Sequence, residues 1–314
     1  MEQEELTEPA QQPAERPYPG RLGAWMAFCR PKTWMIACAP VIASLALAWC
    51  ESDGFRPVVA VFTLLIAIIM QATSNMENDL GYAERNAETG NRRGLPRATT
   101  LGWISLPTAR RAIRVMIVLA LLNTAVLIYF GGWVFALVGL ASVLAAYCYM
   151  GGPKPIAYTP FGELLVLVFF GLTAVCGTYY LQTGTLSAAA VLLGAGLGAI
   201  ASGVLAVNNY RDLEHDASIG RMTLAVTLGR PRFVQLFSVL LALPYFTTLL
   251  TVGLSPSLWP CLIVFASAPK AIRTFRDLPR HEHEELNAVM FSCVKLEGIF
   301  AILFAAGALV AGLF

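Results

Sequence analysis

The chain has 314 residues, of which 57% are hydrophobic and only 13% charged, with a net charge of +2. That balance excludes an ordinary soluble domain and points to an integral membrane protein whose partners include membrane lipid and no nucleic acid.

The opening segment, MEQEELTEPAQQPAERPYPG at residues 1–20, is acidic and rich in Gln and Pro, with neither a basic start nor an apolar core. It is expected to be a disordered cytoplasmic tail and not a signal peptide. Residues 21–314 read as a single all-α transmembrane domain. Apolar runs long enough to cross a bilayer, roughly 20 residues each, recur near 33–50, 57–78, 112–130, 133–150, 162–182, 187–210, 233–252, 256–272 and 290–313, about nine in all. Gly194, Gly198 and Ser202 stand four apart in the sixth run, a spacing that lets helices pack closely. The seven cysteines are scattered without CxxC spacing and read as small packing residues.

Basic residues set the orientation. Twenty of the 22 Lys and Arg fall on one side, before the first run and in or at the edges of the loops after runs 2, 4, 6 and 8; Arg56 lies opposite and Lys295 inside the last run. The positive-inside rule therefore predicts a cytoplasmic N-terminus in the inner (cytoplasmic) membrane. The long charged loops, 79–105 and 211–232, lie on that same side, so the active site is expected to face the cytoplasm.

Run 2 ends in NMENDLGYAERNAETGNRRGLPRATT and run 6 in NNYRDLEHDASIGRMTLA. Aligned, Asn75 falls on Asn208, Asn78 on Arg211 and Asp79 on Asp212, a weak internal repeat. An Asn and an Asp four apart lie on one helical face, so two such ends facing each other predict a cage of hard oxygen ligands. Such cages suit Mg²⁺, which takes carboxylates plus water and substrate phosphates, and Arg forks bind phosphate oxygens in pairs. On this reading Asp79, Asp212 and Asp216 hold Mg²⁺, while Arg92, Arg97, Arg211 and Arg221 hold a diphosphate. Charges at helix ends often only mark the water boundary, but carboxylates facing a bundle are costly and usually functional. HEHEE at 281–285 lacks the HExxH spacing and reads as a solvated loop, and Lys295 and Glu297 carry no assigned role.

These residues resemble the UbiA superfamily of intramembrane aromatic prenyltransferases from about Arg30 to the C-terminus. The stretches that carry the resemblance are RPKTW at 30–34, NMEND at 75–79, GLPRA at 94–98, GGPKPIAYTPFGEL at 151–164, FFGLTAVCGTYYLQTG at 169–184 and NNYRDLEHDASIGRMTLA at 208–225. The GTYYLQTG type of segment favours the naphthoate branch, the dihydroxynaphthoate polyprenyltransferases of menaquinone synthesis. The resemblance implies nine transmembrane helices around a central cavity, with cap loops bearing the two Asp motifs. It matches Asn75, Asn78 and Asp79 to the first motif, Asp212 and Asp216 to the second, and Lys154, Tyr158 and Glu163 to the loop after helix 4. The chain departs from the family where a second Asp is usual, carrying Tyr82 there, and offers Glu88 or Asn86 where a third acid is usual. Either Asp79 with Asn75, Asn78 and Glu84 or Glu88 holds one Mg²⁺, or the substrate differs.

The implied reaction takes a polyprenyl diphosphate and a hydroxylated aromatic acid. The diphosphate leaves an allylic chain, and the cation is stabilised by aromatic faces such as Phe169, Phe170, Tyr179 or Tyr180. Lys154 or Lys32 pairs with the acceptor carboxylate or the diphosphate. With 1,4-dihydroxy-2-naphthoate as acceptor, the analogy implies loss of carbon dioxide. The alternatives are another phenolic acceptor, or a weakened homologue that acts as a binding protein; a transporter would carry its polar residues nearer mid-membrane.

Overall fold

The computed structural model describes residues 16–52, 54–87 and 94–314, and every regular element among them is helical. Helix α1 (Gly20–Cys29) ends at Arg30, a left-handed cap whose N–H bonds the Met26 carbonyl. Pro31 opens a 3₁₀ turn that leads into α2 (Met35–Glu51). Next come α3 (Pro57–Glu84), α4 (Leu106–Gly131) and α5 (Val134–Met150). A short α6 (Gly162–Val166) runs through a π-helical stretch, Leu167–Thr173, into α7 (Ala174–Thr183). Helix α8 (Ala188–Arg211) starts with Ser187, whose Oγ accepts from the Ala190 N–H and so satisfies one of the donors a helix start leaves open. The chain closes with α9 (Leu213–Ser218), α10 (Leu224–Leu254), a 3₁₀ stretch Pro256–Ser267, α11 (Ala268–Asp277) and α12 (Leu286–Ala311).

Seven helical segments among the described residues are long and apolar enough to cross a membrane: Gly20–Glu51, Pro57–Glu84, Leu106–Gly131, Gly162–Thr183, Ala188–Arg211, Leu224–Leu254 and His283–Ala311. The other two expected runs are shorter or irregular. Residues 133–150 form the 17-residue α5, and 256–272 begin as 3₁₀ helix, where Pro256 and Pro260 remove backbone donors. Most of the expected tail at 1–20 lies outside the described residues.

Helix α8 is the central post: 78% of its apolar window is buried, against 22% for α4. Small residues allow this. A Cβ on Gly171 would sit 2.3 Å from the Gly194 carbonyl oxygen and 2.4 Å from the Gly198 Cα, and one on Gly198 would sit 2.6 Å from the Leu167 carbonyl oxygen. The π-helical stretch and α8 therefore touch backbone to backbone, the contact that small residues permit where no hydrophobic force drives helices together in lipid. Ser202, next on the same face, donates its hydroxyl to the Glu163 carbonyl at 2.8 Å.

Gly171→Val should therefore force the two backbones apart at a cost of about 1–3 kcal/mol or more. Thermal unfolding of the detergent-solubilised chain reads it as a lowered midpoint, and an unchanged midpoint would contradict the contact.

Candidate active site

The bundle encloses a cavity of about 270 Å³ that runs from Phe135 and Leu181 at one end to Asn78 and Asn208 at the other. Its wall is mainly aliphatic, with Phe169 and Phe170 contributed by the π-helical stretch. At the asparagine end it adjoins a polar chamber of about 40 Å³, and Arg30, Asn78, Leu95, Tyr149, Leu205 and Asn208 line both spaces. Tyr82, Arg97, Asn209, Arg211, Asp212 and Arg221 complete the chamber. The C-terminal ends of α3 and α8 thus meet on one small space, and the loops after α3 and α9 contribute Arg97 and Arg221.

Each acidic motif places an arginine, the first through its loop and the second by a direct ion pair. Asp79 is fully buried; its Oδ2 accepts from the Ala98 N–H at 2.9 Å, and its Oδ1 accepts from the Thr99 N–H at 2.9 Å and the Thr99 hydroxyl at 2.5 Å. That pins residues 98–99 to α3 and lays Arg97 over the Tyr82 ring, with its Cζ 3.3 Å from the ring centroid and its Nη1 donating to Asn78 Oδ1 at 2.9 Å. Asp216 is also fully buried and accepts from Arg221 Nη1 at 2.8 Å, while Gly220, at φ +74°, turns the chain back on itself. Arg221 Nε donates to the Ala157 carbonyl at 3.1 Å, and Nη1 also donates to the Tyr82 hydroxyl. Burial pushes Arg221 down to about 10, which leaves it charged at neutral pH.

The second motif forms an oxygen cluster. Arg211 Nε and Nη2 donate to both Asp212 oxygens at 2.8 Å, and Nη1 donates to Asn208 Oδ1 at 3.0 Å and Asn287 Oδ1 at 2.6 Å. Four oxygens from three residues surround one cationic head. Hard oxygen donors that already converge on a cation also suit Mg²⁺ once the guanidinium turns away toward a phosphate. The first motif does not fit in the same way: both Asp79 oxygens are engaged by the 98–99 loop, and a phenol stands at position 82.

Several expected site residues lie elsewhere. Asp79 and Asp216, read as metal ligands, line neither space because each is spent on anchoring a loop. Among the described residues no group of three or more His, Cys, Asp or Glu is arranged to hold a metal, and Glu88, one of the expected ligands, lies outside them. Lys154 is exposed in the loop after α5 and lines neither space. Tyr158 lies behind the chamber, 5.6 Å from Arg221 and 5.8 Å from Arg85 by ring centroid. Asn75 lines the apolar cavity, with its amide nitrogen donating to the Cys29 carbonyl and the Thr33 hydroxyl, both at 3.1 Å. Glu84 pairs outward with Arg110 at 2.7 Å. Glu88 and Arg92 lie outside the described residues. Of the four aromatics proposed to face a cation, Tyr179 and Tyr180 are at the far end, where Tyr179 donates to Glu51 Oε2 at 2.6 Å and Tyr180 packs on Phe135. Lys32 and Lys295 are exposed, and Glu297 is buried with neither carboxylate oxygen hydrogen-bonded.

Arg30, Tyr149 and Asn287 were not among the expected site residues. Arg30 had a signal, since it opens RPKTW; Asn287 lies 76 residues from Arg211 and had none.

Since Asp79 anchors the loop, Asp79→Ala should release residues 97–101, leaving two buried N–H groups unpaired at about 1–3 kcal/mol each. Limited trypsin digestion should then cut after Arg97 several times faster than in the wild type, and an equal rate would refute the anchoring role.

The UbiA prenyltransferase family model matches residues 37–296. A 1,4-dihydroxy-2-naphthoate octaprenyltransferase of Haemophilus influenzae is 38% identical over 216 residues, covering 67% of this chain and 70% of its own. The enzyme of the same name from Escherichia coli is 37% identical over 217 residues, with coverage of 67% and 70%. Among solved structures, a UbiA homologue from Archaeoglobus fulgidus bound to GPP and Mg²⁺ superposes with a TM-score of 0.66 at 17% identity, covering 93% of this chain and all of its own. A UbiA homologue from Aeropyrum pernix gives 0.67 at 16% identity, with coverage of 88% and 97%. The chain belongs to the UbiA prenyltransferase family and is an aromatic prenyltransferase.

Proposed function

We propose that this chain transfers a polyprenyl group from an allylic diphosphate to 1,4-dihydroxy-2-naphthoate, with loss of carbon dioxide, in menaquinone biosynthesis. The observation that carries this reading is the junction of a long apolar cavity with a small cationic chamber. An amphiphile with an isoprenoid tail and a diphosphate head has that division of chemistry. The names of the Haemophilus and Escherichia relatives support the naphthoate acceptor. The protein lies in the cytoplasmic membrane with nine crossings, formed by residues 21–314 as one domain. The N-terminus, the chamber and its cap loops face the cytoplasm, on the strength of the basic-residue bias.

Arg97, Arg211 and Arg221 bind the phosphate oxygens, and Asp79 and Asp216 hold two of these guanidinium groups in place through the 98–99 loop and the Arg221 ion pair. Asn208 and Asp212 would hold Mg²⁺, which when bound supplies neutralisation of the charge on the leaving diphosphate. The cavity wall excludes water from the allylic carbon, and the ring faces of Phe169 and Phe170 lie along it to stabilise cationic character. The allylic carbon–oxygen bond breaks with its electron pair leaving on the diphosphate. A carbon–carbon bond then forms to the electron-rich ring, and the carboxylate departs as carbon dioxide.

Purified protein incubated with Mg²⁺, labelled geranylgeranyl or longer diphosphate, and a panel of dihydroxynaphthoate, hydroxybenzoate and homogentisate is the test. Labelled product is expected with dihydroxynaphthoate, and Asp212→Ala should lower kcat by about 100-fold or more. Product only with another phenol would change the acceptor. An intact donor with every acceptor would make the chain a binding protein, the reading that Tyr82 favours.

A further inference from the structure

Tyr82 stands where the family resemblance puts a carboxylate, and its surroundings are those of an anion seat. Among the described residues two guanidinium groups share its ring: Arg97 Cζ lies 3.3 Å from the centroid and Arg221 Cζ 5.1 Å. The Tyr82 hydroxyl accepts from Arg221 Nη1, and the residue is 3% exposed. Arg97 comes from the loop after α3 and Arg221 from the loop after α9, so this phenol is the point where the two cap loops meet. His215 makes a second link, its Nε2 lying 3.0 Å from the Ala87 carbonyl oxygen.

The electrostatics favour an incoming anion. Two like charges held against one ring repel each other, and the ring face offsets part of that repulsion through cation–π attraction. Asp216 supplies one negative charge, to Arg221 Nη1, and Arg221 Nε is occupied by the Ala157 carbonyl. Arg221 Nη2 makes no hydrogen bond among the described residues, although Arg221 lines the chamber. A diphosphate carries several negative oxygens and is of a size to be shared between two guanidinium forks.

We propose that Tyr82 is a positioning residue that holds Arg97 and Arg221 together as a metal-free seat for the diphosphate, so that a divalent ion is needed only at the Asn208–Asp212 end. This rests on the prenyl-diphosphate reading above and deepens it. A carboxylate at position 82 would do the opposite: it would neutralise one of the guanidinium groups and offer an oxygen to a second ion. The phenol offers its ring to both cations and adds no charge.

The test is calorimetric titration of inorganic pyrophosphate into the full chain in lipid nanodiscs, with EDTA and separately with Mg²⁺. The wild type is expected to bind pyrophosphate in EDTA. Tyr82→Phe, which keeps the ring and loses the hydroxyl, should weaken that metal-free binding about tenfold, the size of one hydrogen bond to a charged group. Tyr82→Asp should abolish binding in EDTA and restore it with Mg²⁺. The proposal is overturned if the wild type binds pyrophosphate only with Mg²⁺, or if Tyr82→Phe binds it in EDTA as tightly as the wild type. Pyrophosphate binding is read apart from prenyl transfer. A chain that binds as expected but prenylates no acceptor would keep the seat and lose the proposed reaction.

Discussion

Two buried carboxylates that never touch each other set the geometry on which the site depends. Asp79 spends both oxygens on the backbone and hydroxyl of residues 98–99, and Asp216 spends one on Arg221. Each therefore fixes one arginine in place, Arg97 through residues 98–99 and Arg221 directly. A buried ion pair such as Asp216–Arg221 gives little net stability, because both charges lose hydration, but losing either partner leaves an uncompensated charge. Such pairs are better understood as devices of placement, and here they place two guanidinium groups against a single phenol.

The membrane part of the fold serves that placement by bringing α8 close to its neighbours. Lipid offers no hydrophobic reward for helix association, so close backbone contact is what holds the post in position. Gly194 and Gly198 receive Gly171, and the same face continues through Ser202 to Asn209, whose Nδ2 donates to Glu163 Oε1 at 2.8 Å. One continuous contact line thus fixes the height of Asn208 and Asp212 relative to Phe169 and Phe170, and so the join between the polar and apolar spaces.

Much of this was legible in the sequence, and for definite reasons. Long apolar runs announce helices because lipid cannot satisfy an open backbone, and an Asn–Asp pair at the end of such a run marks a helix tip turned to polar chemistry. The spacing of Gly194, Gly198 and Ser202 announced the close contact. What stayed hidden was non-local. Nothing near Asp79 says that its oxygens are taken by a loop twenty residues on, and nothing near Lys154 says that it lines neither space. Tyr179 was within reach of simple arithmetic: it lies sixteen residues beyond Glu163, about 24 Å of helix away, so it had to fall at the opposite end of the cavity. The 3₁₀ stretch at Pro256–Ser267 was signalled by its prolines, which the apolar count overrode.

The π-helical stretch at Leu167–Thr173 sets an azimuth as well as a contact. Each residue of helix advances the side-chain direction by about 100°, so removing one residue there would rotate everything beyond it by about that angle. The Ser44 hydroxyl would lose the Val175 carbonyl it meets at 2.7 Å, and Tyr179 would turn away from Glu51. Within this stretch Gly171 is fixed by its contact with α8 and Phe169 and Phe170 by the cavity they line. The length of the stretch is fixed as well, and the phase it imposes joins the chemistry at one membrane face to the packing at the other.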